Sequence, residues 1–155
     1  LQSSAKKDEK GRQAVFLTKK ALGIREIGIS MESEYYFKFE DLKVYQKAMD
    51  FGELVNHIVK EFPNHEFYSL SSQFRRAADS IALNIAEGYP GSDAQFVKHL
   101  NHAIYSANEC VSCSTKARRR NYITFEEDEV NRKLLSELTK MLSSLRKTIK
   151  QRNYN

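Results

Sequence analysis

Between about residue 41 and residue 150 the apolar residues of this chain return every three or four positions. They do so in four stretches separated by turn-forming clusters. That recurrence is the period of an α-helix with one buried face. Nothing over residues 39–150 alternates with the period of two that a half-buried strand requires. The first helix is expected from about Asp41 to Phe62, with Tyr45, Ala48, Val55, Ile58, Val59 and Phe62 on its stripe. Pro63 ends it, because the residue before a proline avoids the helical region. The second is expected from about Ser69 to Glu87, with Leu70, Phe74, Ala77, Ala78, Ile81 and Ile85 inward and Gly88 suited to a left-handed position just past its end.

Capping signals place the other two helices. Ser92 with Gln95 three positions on reads as a capping box opening a third helix that runs to about Arg119. Phe96, Leu100, Ala103, Ile104, Ala107, Cys110 and Val111 mark its stripe. After the break "RNYIT", Thr124 and Glu127 repeat the box, and the four acids from Glu126 to Glu129 sit where the helix dipole favours them. Val130, Leu134, Leu138, Met141, Leu145 and Ile149 follow on the fourth helix. Four long amphipathic helices with short connections pack as antiparallel neighbours, so the expected fold is all-α, an up-down four-helix bundle.

The chain has 155 residues, enough for one domain with a substantial core and few for two. Residues 1–30 differ in character from the rest. They hold three of the six glycines, seven Lys/Arg and three acids, and only weak periodicity. They read as a basic extension dispensable for the fold, whether a cloning remnant, an upstream in-frame extension or a genuine basic arm. The bundle is expected to occupy residues 31–155. The net charge of +5 is concentrated in that extension: residues 31–155 hold 18 Lys/Arg and 17 acids, a net +1. A nucleic-acid argument must therefore rest on where the cations sit. No apolar run approaches the ~20 residues of a membrane span, no secretory leader is visible, and two cysteines do not make a disulfide framework. The expected setting is the reducing cytoplasm, away from membranes.

"SSQFRRAADSIALNIAEG" (residues 71–88) carries Arg75 and Arg76 side by side on the second helix. At 100° per residue they lie about 110° and about 150° from the centre of the apolar stripe, so neither is a core residue. An Arg76–Asp79 pair on a solvated face explains them without any ligand. Leu83 on the same outer face makes a subunit interface an equal reading, and phosphate a third.

"FEDLKVYQKAMDF" followed by "EFP..EFYSLSSQFRRAADSIALNIAEGY" resembles the four-helix-bundle or S23-like family, whose members include reading frames within intervening sequences of 23S ribosomal RNA genes. The resemblance covers about residues 37–150. It is most specific from Glu66 to Gly88, through Tyr68, Leu70, Gln73, Arg75, Arg76, Ala77, Ser80, Ile81, Asn84, Ile85, Ala86, Glu87 and Gly88. It implies a homo-oligomer, with pentameric rings known in the family. It also implies a relation to the accessory proteins of diversity-generating retroelements, basic pentamers that bind nucleic acid and a reverse transcriptase. In the third helix Ser106 and Glu109 match the family loosely, while His99, His102 and the cysteines depart from it.

Catalytic and metal motifs are missing from the sequence. There is no P-loop, Gly-rich dinucleotide turn, HExxH or nucleophile elbow. Cys110-Val-Ser-Cys113 is a lone CxxC deep inside a helix, away from the N-terminal position that activates a thiol. His99 is eleven positions from Cys110, about 16 Å along the axis, too far for one zinc. Cys110 reads as core and Cys113 as a boundary residue. No enzyme, cofactor or metal is expected.

Two basic features remain. Lys116, Arg118, Arg119 and Arg120 close the third helix, where cations also suit the dipole, and the acids opening the fourth helix are placed to neutralise them. Arg146, Lys147 and Lys150 load the acid-free end of the fourth helix. Arg75 and Arg76 belong with the first of these patches, by the up-down order. In a ring each patch is repeated, and counterion release makes affinity grow with every phosphate neutralised. The expected activity is weak, sequence-independent binding of RNA or DNA through these nine residues. The alternative is an adaptor that recruits a protein partner.

Overall fold

A computed structural model describes residues 33–152. The expected extension over residues 1–30 lies outside them. Four helices carry the architecture: α1 Lys43–Val59, α2 Leu70–Gly88, α3 Asp93–Arg119 and α4 Phe125–Arg152. Short 3-10 turns at Lys38–Asp41 and Asn64–Glu66 precede α1 and α2. Among the described residues there is no strand. Each helix packs on its neighbours in sequence, and a thinner α4–α1 seam closes the bundle.

The helix ends follow the sequence logic in two places. Ser92 Oγ accepts from Gln95 N at 3.3 Å while Gln95 Oε1 accepts from Ser92 N at 3.0 Å. Thr124 and Glu127 make the same reciprocal pair at 3.1 and 2.7 Å. Elsewhere the structure corrects it. α1 ends at Val59, and residues 60–62 tighten into i→i−3 hydrogen bonds before Pro63. α2 begins one position later, at Leu70, and Glu66 caps it from outside, accepting from Leu70 N at 3.2 Å.

Gly88 is a second correction, because it lies inside α2 and Tyr89 beyond it is right-handed. Close packing is what requires the glycine: a Cβ there would stand 2.6 Å from His99 Cβ and 2.9 Å from Phe96 Cδ2. The left-handed position is taken at the end of α3 by Asn121, with φ 57°. Asn121 N and Tyr122 N donate to Arg118 O and Ala117 O at 3.0 and 2.9 Å, a Schellman ending with asparagine where glycine is commoner.

The core is built from Phe51, Phe74, Ile81, Ile85, Leu100, Leu135, Leu138 and Leu142, all fully buried. Ala48, Ala78, Ala103 and Ala107 let the helices approach closely around them. The α2 stripe is as expected. On α1 it rotates to include Val44, Phe51 and Leu54, and on α4 to include Leu135 and Leu142, leaving Tyr45, Ile58, Met141 and Leu145 half-buried. Cys113 is as buried as Cys110, not at the boundary, and both are free thiols. Burial pushes both thiols up, Cys113 to about 11.

One end of the bundle, where α1 and α3 start and α2 and α4 finish, is closed by rings. Phe39 meets Tyr45, Tyr89 and Phe37, and Tyr89 meets Phe96, with centroids 5.1 to 6.4 Å apart.

Candidate functional site

The opposite end holds six of the nine candidate cations, and two of them are committed to buried carboxylates. Glu66 lies in the turn between α1 and α2 and is 5% exposed. Its Oε1 accepts from Arg120 Nη1 at 2.7 Å and from the Tyr122 hydroxyl at 3.0 Å, and its Oε2 accepts from the Ser69 hydroxyl. The Ser69 bond, Leu70 N–H, Tyr122 and Arg120 together outweigh burial and hold this carboxyl down at about 2. In the sequence Glu66 is one acid in a polar turn, and its place just before a helix start is the one hint of its role.

Asp128 does the same work across the α3–α4 junction. It is 1% exposed, whereas Glu126, Glu127 and Glu129 beside it are exposed. It accepts from Ser114 Oγ at 2.7 Å and Arg132 Nε at 2.9 Å, with Arg118 Nε 3.3 Å away. Burial raises its pKa, but Ser114 and the two arginines prevail and leave it lowered. Arg132 also donates to Thr115 Oγ1 at 2.6 Å, and Asn131 Nδ2 to Ser114 Oγ at 3.0 Å. The neutralisation expected between the end of α3 and the start of α4 is present, through Arg118 and Asp128. Lys116 and Arg119 stay exposed and carry no ion pair among the described residues.

The arginine pair divides. Arg75 is half-buried and holds its guanidinium 5.5 Å above the Phe67 ring, a cation–π contact. Arg76 is exposed, and among the described residues no ion pair joins it to Asp79. Asp79 leans towards α1 instead, with Oδ1 3.1 Å from where a Gly52 Cβ would stand. Burial and then Glu53 raise its pKa, against Arg75.

Arg76 stands on the wall of a groove of about 660 Å³ between α2 and α3. A polar row joins the two helices along this side. Gln73 Nε2 donates to Glu109 Oε1 at 3.3 Å, Ser106 Oγ to Ser80 Oγ at 2.9 Å, and His99 Nδ1 lies 3.1 Å from Asn84 Oδ1. Tyr68 at the groove's mouth is 91% exposed, and Leu83 on α2 and Tyr105 on α3 are each 63% exposed.

On α4, Arg146 donates to Asn101 Oδ1 at 2.6 Å and so helps to seat the helix on α3. Lys147 and Lys150 are exposed and unpaired among the described residues. Lys133, Lys140 and Lys147 recur every seven positions, within about 20° of one line and about 10.5 Å apart. All three are exposed, and the line faces water. Lys133 escaped the sequence reading, although its spacing of seven from Lys140 was the signal. Glu129, one turn before Lys133, offsets charge at that end, and Glu137 is drawn aside by Lys47 at 2.8 Å.

No group of three or more His, Cys, Asp or Glu among the described residues is placed to hold a metal ion. No helix among them is long and apolar enough to cross a membrane.

A family model described as "23S rRNA-intervening sequence protein" matches residues 40–144. Among solved structures, the chain is similar to a protein of unknown function from the S23 ribosomal protein family of Bacteroides thetaiotaomicron. The two are 31% identical with a TM-score of 0.63, over 67% of this chain and 98% of that one. No curated protein matches.

Proposed function

The chain belongs to the 23S rRNA-intervening sequence protein family, and from that premise we propose a non-catalytic bundle that assembles with copies of itself and binds RNA or DNA weakly. The assembly is a ring, a pentamer by the family resemblance, working in the cytoplasm. The observation that carries the binding is the exposed line Lys133, Lys140 and Lys147, flanked by Lys150, on a helix that has no acid after Glu137. Lysine ammoniums on flexible stems attract phosphate as point charges and read no sequence, which suits weak and general binding. Repetition around a ring multiplies the phosphates engaged and hence the affinity. Arg118, Arg120 and Arg146 act in this reading as structural arginines, while Arg76, Lys116 and Arg119, without ion pairs among the described residues, add charge at the far end.

A second reading, an adaptor that recruits a protein partner, is favoured by the exposed Leu83 and Tyr105.

The test is the anisotropy of a labelled oligouridylate titrated across salt, with mass by light scattering on the same samples. The variants are Lys140→Gln, Lys147→Gln and Lys150→Gln, singly and combined. Each lysine that neutralises a phosphate should remove about 0.7 from the log–log salt slope. An oligomer that binds no strand at about 50 mM salt leaves the adaptor reading.

A further inference from the structure

The groove between α2 and α3 combines chemistry that the lysine line of α4 lacks. At its mouth the Tyr68 ring is 91% exposed, yet it is not loose. It stands edge-on to Phe67 with centroids 4.8 Å apart, and Phe67 is covered by the Arg75 guanidinium at 5.5 Å. Arg75 therefore supports an aromatic pair, and its neighbour Arg76 stands on the groove wall with no ion pair among the described residues. Further along, Glu109 lines the same groove from α3, and Asp79 borders it from α2 with its carboxylate turned towards α1. Glu109 accepts a hydrogen bond from Gln73 at 3.3 Å through one oxygen, which leaves its second oxygen for a ligand.

A groove of about 660 Å³ is within the usual range for a small ligand. A ligand complementary to all three features needs an anionic group for Arg76, a flat π-face for Tyr68, and an N–H donor for Glu109. A nucleotide has all three: its phosphate, its base, and the amino group of adenine, cytosine or guanine. A plain anion would be repelled by Asp79 and Glu109, and a plain cation by Arg76. A duplex offers no free base face to the tyrosine, whereas an unpaired strand does.

We infer that this groove takes one nucleotide, base on Tyr68 and phosphate on Arg76, an inference that rests on the nucleic-acid reading above. The nucleotide is a unit of a single strand or a free monophosphate. Bases with an amino group are preferred, so oligoadenylate binds more tightly than oligouridylate.

The experiment uses the full chain with labelled oligoadenylate, and adenosine monophosphate as competitor. The variants are Tyr68→Ala, Tyr68→Phe and Arg76→Gln, all at exposed positions, with melting temperature and mass recorded for each. Tyr68→Ala should weaken the strand about tenfold and Tyr68→Phe should restore it, since the ring and not the hydroxyl stacks. Arg76→Gln should weaken binding severalfold and lower the salt slope by about 0.7. Competition by the free monophosphate assigns the groove to free nucleotides; failure of that competition assigns it to the strand. If the groove variants bind like wild type while the α4 lysine variants lose affinity, the groove inference falls and the phosphate reading stands. If neither set changes the binding, both fall. Groove variants that change the mass and not the affinity make the groove a contact between copies, which also overturns the inference.

Discussion

Arg120 donates to Glu66 at 2.7 Å and so ties the last turn of α3 to the turn that opens α2. The bond joins residues 54 positions apart. It spends a cation that the sequence offers for phosphate on closing one end of the bundle.

Acid should open that tie. Glu66 titrates well below its ordinary value when folded, so it contributes stability that is fully present above the unfolded value. That contribution is lost as pH falls through the window from about 4.5 to about 2. Wild type should melt higher than Glu66→Gln at neutral pH, and the gap should shrink across that window. Asp128 is also lowered and acts in the same sense in both proteins, so the difference between them isolates Glu66. A gap that stays constant down to about pH 2 would refute the assignment.

Replacing glycine by alanine inside a helix normally adds up to about 1 kcal/mol. Gly88→Ala should do the opposite and cost about 1–3 kcal/mol, because its methyl would meet His99 Cβ and Phe96. Gly52→Ala is the control: its methyl meets only the tip of the exposed Asp79 side chain, which can swing away. Urea unfolding of the two variants should shift in opposite directions.

The buried polar cluster should be asymmetric to mutation. Asp128→Ala takes away the acceptor of the buried Ser114 hydroxyl and removes the anchor of two arginines. It should cost about 1–3 kcal/mol, moderated because both guanidiniums reach water. Asn131 is fully buried with Oδ1 unpartnered, so Asn131→Leu should change stability by less than about 1 kcal/mol or raise it. Chemical denaturation of the pair checks both.

Cys110 and Cys113 are fully buried, with thiol values pushed up by that burial, Cys113 to about 11. A disulfide reagent at about pH 8 should therefore label the native protein only as fast as it opens, and label both thiols at once in urea. Rapid native labelling of one thiol would show a looser α3 than described.

The four helices and their order were legible because periodicity and capping boxes are local signals, and Ser92, Gln95, Thr124 and Glu127 obey them. Gly88 was misread because nothing local reveals that His99 packs on it. The burial of Glu66 and Asp128 was not legible for a related reason: an acid in a turn and an acid among acids show no sign of it until their partners arrive from another element. The nine candidate cations were visible one by one, but which of them are occupied depends on those same long-range contacts. Only the seven-residue spacing of Lys133, Lys140 and Lys147 was there to be read and went unread.

The two ends of the bundle differ in their leading contacts, although Phe62 and Tyr122 also meet where α3 finishes. Where α3 finishes, Arg118 and Arg120 grip carboxylates on either side; where α3 starts, Phe39, Tyr45, Tyr89 and Phe96 meet ring to ring. Ionic clasps weaken with acid and salt, whereas apolar contacts weaken on cooling and tighten in salts excluded from the surface. Amide exchange would thus spread inward from opposite ends under opposite stresses. Acid loosens one end of this bundle, and cold the other.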